Sequence, residues 1–274
     1  MTEASINRDF REGLARAFGG AIFFSLPLLM TMEMWQLGFI MNRLPLALFI
    51  VVMMPVLFGL EYYTGFKDTT TALDEAADAA VAYGVGIVAS VIVLAMFNLI
   101  SLDEPLSSIL GKVALQALPA SFGAMLSGSQ FGAQGTAERR HKRDVGFGGI
   151  LFLMAVGALF LAFNVAPTEE MFLIAARMTH WHGIALALAS LLVMHGFVYA
   201  ASFRGAPGGS EGTSRTSLFF RYTVPGYAIA LVVSVYVLWT FGRYENHSAT
   251  TMIMQAVVLG FPASIGAAAA RLVV

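Results

Sequence analysis

The chain has no cysteine, and only 12% of its 274 residues are charged. Without cysteine there is no disulfide framework and no thiolate metal site. The shortage of charge excludes more. Soluble domains carry roughly 25% charged residues, whereas this chain is 58% hydrophobic with a mean hydropathy of +0.74. The formal net charge of −1 predicts no nucleic-acid partner. Enzyme signatures are missing too: no G-x-S-x-G, no H-E-x-x-H, no phosphate-cradling glycine loop with its lysine, no Asp-rich metal motif. The chain is therefore expected not to be an enzyme and to hold neither a cofactor nor a metal.

What is present in quantity is apolar sequence in runs of span length. Crossing hydrocarbon as a helix takes about 20 apolar residues. Eight such runs lie near 18–41, 44–64, 76–100, 106–129, 146–166, 181–203, 218–242 and 249–271. The expected fold is all-α, a polytopic transmembrane bundle of about eight helices. The segment 1–17 is polar, with Arg8, Arg11 and Arg16 balanced by Glu3, Asp9 and Glu12. The first apolar run is longer than the core of a cleavable signal peptide, so it reads as a permanent membrane helix.

The chain also repeats itself. LPASFGA at 118–124 returns as FPASIGA at 261–267, 143 positions later. VASVIVLAMF at 88–97 returns as VVSVYVLWTF at 232–241, offset 144, with six of ten positions identical. Gly59, Tyr62 and Phe66 match Gly196, Tyr199 and Phe203 at offset 137. These offsets predict a duplicated half, with a first four-helix repeat at 18–131, a basic linker at 132–145 and a second repeat at 146–274. An even number of spans per half makes the repeats parallel, and duplicated halves are frequent in proteins that move solutes. The first and fifth spans align least well. Phe18-Gly19-Gly20 matches Phe147-Gly148-Gly149 at offset 129, yet pairing Glu33 with Glu169 needs 136.

Charge orients the chain. Twelve Lys and Arg fall on the side of the N-terminus, including Arg139, Arg140, Lys142 and Arg143, against four on the other: Arg43, Lys112, Arg177 and Arg243. Excess basic residues mark the cytoplasmic face, so both termini are expected in the cytoplasm. The basic run reads as a topology anchor, with binding of anionic lipid or nucleic acid as the other reading.

Few residues in the spans could carry chemistry. Glu33 sits in an otherwise uncharged run and reads as an ion-coordinating or proton-carrying group, or as an interfacial residue beside Trp35. Glu169 and Glu170 follow Pro167-Thr168. They read as ion-binding partners of Glu33, or as first-turn acids of a new helix. Pro119 with Ser121, and Pro262 with Ser264, form twin kinks that line a pathway or pack the halves together. Lys112 could serve as counter-charge to the glutamates. His195 reads as a proton relay or a hydrogen-bonded packing residue. His180 and His182, near Glu169, Glu170, Glu245 and His247, have no third zinc ligand fixed by spacing. Gly84 and Gly86, or the 146–149 glycines, offer faces for a homo-oligomer.

Met32-Glu33-Met34-Trp35, Pro167-Thr168-Glu169-Glu170 and the Pro-Ala-Ser-x-Gly-Ala motif together resemble a bacterial family of integral membrane proteins of unknown function. The resemblance covers nearly the whole chain. It implies a bacterial inner-membrane protein of about eight helices and supplies no activity. The residues themselves point to an ion channel or ion-coupled transporter for a cation or proton. The alternative is a membrane sensor or scaffold that signals through the 132–145 and 204–217 loops.

Overall fold

In hydrocarbon every backbone N–H must find its partner inside the chain, and a helix satisfies this within one segment. The computed structural model describes residues 3–64, 72–131, 145–203 and 215–273, and among these it is helical with no strand. The basic run at 139–143, Lys67 and most of the 204–217 loop lie outside the described residues. Among the described residues, eight helices are long and apolar enough to cross a membrane.

The chain divides into two compact units, Met1–Lys142 and Arg143–Val274. The first holds α1 (Glu3–Leu29), α2 (Met32–Ile40), α3 (Arg43–Thr64), α4 (Ala72–Met96) and α5 (Leu106–Phe131). The second holds α6 (Phe147–Val165), α7 (Glu169–Arg177), α8 (His180–Phe203) and α9 (Arg215–Leu218). A π-helical turn (Phe219–Thr223) then leads into α10 (Val224–Thr240), and α11 (Ala249–Val273) follows. Each unit thus contains five successive stretches, the second of them only nine residues long.

The short helices correct the sequence reading. The run at 18–41, expected as one span, is α1 and α2 with a break at Met30-Thr31. Side chains take up the carbonyls at the end of α1. The Thr31 hydroxyl donates to Pro27 O at 2.6 Å, and the Trp35 indole N–H donates to Leu29 O at 2.7 Å. Thr31 itself is extended, with φ −93° and ψ 116°, so the helix stops and restarts. Ahead of that run, α1 is continuous from Glu3, so residues 3–17 of the polar segment are part of the helix.

Within the first unit α5 is the centre, packed against α1, α2, α3 and α4; within the second, α11 packs against α6, α7, α8 and α10. Their apolar windows are 72% and 61% buried, against 28% for α3 and 22% for α8, so α5 and α11 are enclosed by protein while α3 and α8 face outward. The twin motif explains how they fit. A methyl group on Gly123 would overlap the Gly20 carbonyl, and one on Gly266 would overlap the Gly157 carbonyl. Absent side chains therefore let α5 lie directly on α1, and α11 on α6, as in membrane crossings built on small residues. The two crossings are 137 positions apart on one helix and 143 on the other. Counted at 137, Thr31 falls on Thr168 and Glu33 on Glu170.

The last long connections begin alike. Asn98 (φ 55°) and Gly242 (φ 69°) adopt the left-handed conformation just past α4 and α10. The Leu99 N–H donates to Leu94 O at 2.8 Å and the Arg243 N–H to Leu238 O at 2.9 Å, the Schellman closure of a helix end.

The glycine crossings make a direct prediction. Gly123→Leu and Gly266→Leu force a side chain into a facing backbone and should each cost about 1–3 kcal/mol or more. Gly84→Ala meets nothing within 4 Å and should be neutral or stabilise by up to about 1 kcal/mol. Thermal unfolding of purified protein in detergent checks this; equal melting temperatures for all three variants would refute the close crossing.

Candidate functional site

The site is built at the ends of α6, α7, α10 and α11 in the second unit. After Val165 the chain turns through Pro167, and Thr168 is extended (φ −73°, ψ 142°) ahead of α7. Its hydroxyl donates back to Val165 O at 2.8 Å. Glu169 and Glu170 fill the first turn of α7, where the helix dipole favours carboxylates. Glu169, Phe172 and Ala176 follow at helical spacing and share one face. Opposite them, the left-handed Gly242 redirects the backbone and delivers Arg243. From α11, Thr251 and Gln255 share a face at i, i+4.

Arg243 is the hub. Its Nη1 donates to Glu169 Oε1 at 2.9 Å, and its Nη2 donates to Pro167 O. The guanidinium carbon lies 4.7 Å from the centre of the Phe172 ring. The Arg243 side chain is 20% exposed and that of Glu169 is 67% exposed, so the pair sits at a rim with the arginine inward. His247 Nδ1 lies 3.0 Å from Arg243 O. A carbonyl only accepts, so Nδ1 carries the proton and a neutral His247 presents Nε2 as an acceptor. The Tyr244 hydroxyl donates to Met252 O at 3.4 Å, and burial pushes its phenol up to about 12, so it stays protonated.

These groups line a cavity of about 330 Å³, with Glu169, Phe172, Arg243, His247, Thr251 and Gln255 on its walls. Two buried polar atoms on those walls, Gln255 Oε1 and Arg243 Nε, have no hydrogen-bond partner among the described residues. Buried polar atoms are nearly always paired, and an unpaired one costs about 1–3 kcal/mol. The residues around the cavity thus include one unmet acceptor and one unmet donor, beside a salt-bridged carboxylate. Its volume lies at the lower end of small-ligand sites.

The remaining candidates lie elsewhere. Glu33 is half-buried in the first turn of α2, beyond the span that ends at Leu29. It and Glu169 belong to different units. Glu170 is exposed beside Glu169. Ser121 donates to Ala117 O at 2.5 Å and Ser264 to Phe261 O at 2.7 Å, so both hydroxyls bond their own helix. A methyl group on Gly86 would overlap Ser121, which places the first motif in the packing among α1, α4 and α5. Pro119 and Pro262 lie inside continuous helices. His195 Nδ1 lies 3.0 Å from Thr223 Oγ1, and its ring meets Phe219 edge-on at 5.3 Å, the surroundings of a packing histidine. His182 Nδ1 contacts Thr179 Oγ1 at 2.7 Å. Among the described residues no three His, Cys, Asp or Glu come together as metal ligands.

Sequence reasoning missed three features. Arg243 was read only as a topology charge, although it is the partner of Glu169. Glu61, at the end of a span, is only 6% exposed and makes an interaction there. Lys112 pairs with Glu104 at 2.8 Å rather than with the candidate glutamates, and also donates to Leu99 O at 2.7 Å. Glu104, one residue from Asp103 in a turn sequence, carried no sign that a lysine eight positions on would reach back to it.

The hydrogen bond from Lys112 holds the Glu104 carboxyl below the usual carboxylate range; burial opposes this, and the Ser108 hydroxyl at 3.1 Å adds to it. A carboxyl depressed in the folded state contributes stability that is full above its unfolded value, about 4.3. That contribution is lost as pH falls through the lower folded value. Glu104→Gln should therefore lower stability near neutral pH by on the order of 1 kcal/mol. The gap from wild type should close as the pH drops below about 4. A gap that persists unchanged at low pH would exclude the charge pair as its source.

The chain belongs to the DUF2391 family of integral membrane proteins, whose model matches residues 13–274. Comparisons with curated proteins and with solved structures found no match.

Proposed function

We propose, taking that membership as premise, that this chain is an ion-coupled membrane transporter or ion channel for a cation or proton. The observation that carries the reading is the cavity at Glu169: a titratable carboxylate held by one salt bridge beside two unmet buried polar atoms. A bare cation would have to displace Arg243, whereas a proton on Glu169 would release it. Proton carriage is therefore the reading this pairing favours, with Glu169 as the exchanging group. Glu33 is the corresponding candidate of the first unit, and Glu170 is its positional match.

The repeated crossings and helix ends support two parallel copies of one unit. The twin motifs, with Pro119, Ser121, Pro262 and Ser264, then act by packing α5 and α11 rather than by lining a path. The basic asymmetry supports a bacterial cytoplasmic membrane with both termini inside, which puts the Glu169 cavity on the outer side. Assembly into a homo-oligomer remains part of the proposal, because Gly84, Gly146 and Gly148 have open space around them.

One observation favours the rival reading, a sensor or scaffold without transport. Glu33 lies outside the candidate spans, where a headgroup-level residue would sit. Flux into proteoliposomes separates the two. Wild type, Glu169→Gln and Glu33→Gln are compared across cation and pH gradients. Glu169→Gln should abolish most of the flux, and Glu33→Gln should reduce it. Full flux in both variants would overturn the assignment of the acids, and no flux in wild type under any gradient would leave the sensor reading.

A further inference from the structure

At the end of the second unit away from the cavity, the span ends carry three arginines, each lying against an aromatic ring. Phe147 opens α6, Tyr199 lies in the last turns of α8, Arg215 to Tyr222 precede α10, and Arg271 lies near the end of α11. The Arg215 guanidinium carbon is 4.9 Å from the centre of the Tyr199 ring. That of Arg221 is 5.6 Å from the centres of both Phe147 and Tyr222. Arg271 lies against Tyr222 at 3.9 Å. Arg215 and Arg221 are exposed and have no carboxylate partner among the described residues. The described acids of this unit, Glu169, Glu170 and Glu245, all lie at the cavity end.

An arginine held over a ring face keeps its in-plane N–H fork free, and that fork matches phosphate oxygens. The π-helical turn arranges the rest. Phe220 and Arg221 are exposed while Tyr222 and Thr223 are buried, so an apolar ring stands beside a cation at the edge of an apolar window. Phe220 is 67% exposed and Phe147 42%, enough open ring surface to contact acyl chain. The Tyr222 hydroxyl is buried without a hydrogen-bond partner among the described residues, an unmet donor in the same cluster.

We propose that this end of the unit binds the phosphate of anionic phospholipid, with Arg215 and Arg221 each offering a guanidinium fork and Phe220 and Phe147 against acyl chains beside Arg221. The site is separate from the Glu169 cavity, and its test does not depend on transport. The full chain is purified in neutral detergent. Phosphatidylglycerol, phosphatidylcholine and inorganic phosphate are titrated in separate arms, with lipid adducts read by native mass spectrometry and unfolding read by heat.

Phosphatidylglycerol should form adducts and raise the melting temperature, in a manner weakened by salt. Phosphatidylcholine and inorganic phosphate should do much less. Arg215→Gln with Arg221→Gln should weaken phosphatidylglycerol binding about tenfold or more. Arg177→Gln, an exposed arginine of α7, should leave it unchanged. If the double Gln variant does not fold, Arg215→Lys with Arg221→Lys keeps both charges but loses the fork, and should weaken binding severalfold. Equal binding by wild type and the variant that folds would overturn the proposal. So would equal effects of phosphatidylcholine, or a response to inorganic phosphate as large as that to the lipid.

Discussion

The constraint on which each unit depends is the contact of one helix backbone with another at a pair of glycines. Gly20 faces Gly123, and Gly157 faces Gly266, each close enough that neither can carry a methyl group. In a bilayer no hydrophobic force drives helices together, because lipid tails are as apolar as leucine. Van der Waals contact at such crossings is what makes a stable unit. It fixes α5 against α1 and α11 against α6, and the other helices of each unit pack around α5 or α11. Serines are accommodated in these interiors because Ser121 and Ser264 bond carbonyls of their own helices.

Helix ends decide where the polar groups stand. Left-handed Asn98 and Gly242 close α4 and α10 in the same way and set the residue that follows. In the first unit that residue is Leu99, whose carbonyl accepts from Lys112. In the second it is Arg243, which crosses to Glu169. One backbone device thus supports two different polar outcomes. The first is a satisfied Lys112–Glu104–Ser108 cluster. The second is a cavity with unmet atoms, and an unmet buried atom has a cost that a bound partner removes.

Charge placement follows solvation. The described ionic groups of the second unit gather at two levels, the Glu169–Arg243 rim and the arginine–aromatic end, with apolar spans between them. Interior serines such as Ser25, Ser121, Ser190 and Ser234 bond carbonyls of their own helices. Glu61 is buried as well, and its burial goes with an interaction made there.

The sequence by itself determined the class of fold. Hydrophobicity sums along the chain, so eight spans were legible from runs alone, and the twin Pro-Ala-Ser-x-Gly-Ala motif marked α5 and α11 before any contact was known. The break after Leu29 was not legible, because an apolar run reads the same as one helix or two. Thr31 and Trp35 decided it by taking up carbonyls that a continuous helix would have used. The glycine crossings lie 137 positions apart on α1 and α6, the same offset as the Gly59, Tyr62 and Phe66 matches. Glu169 was legible as a rare acid, but its partner was not. Arg243 lies 74 positions away, and only the packing of α6, α7, α10 and α11 brings the two within a hydrogen bond. Ion pairs of this kind depend on distance in space, which the order of residues along the chain does not encode.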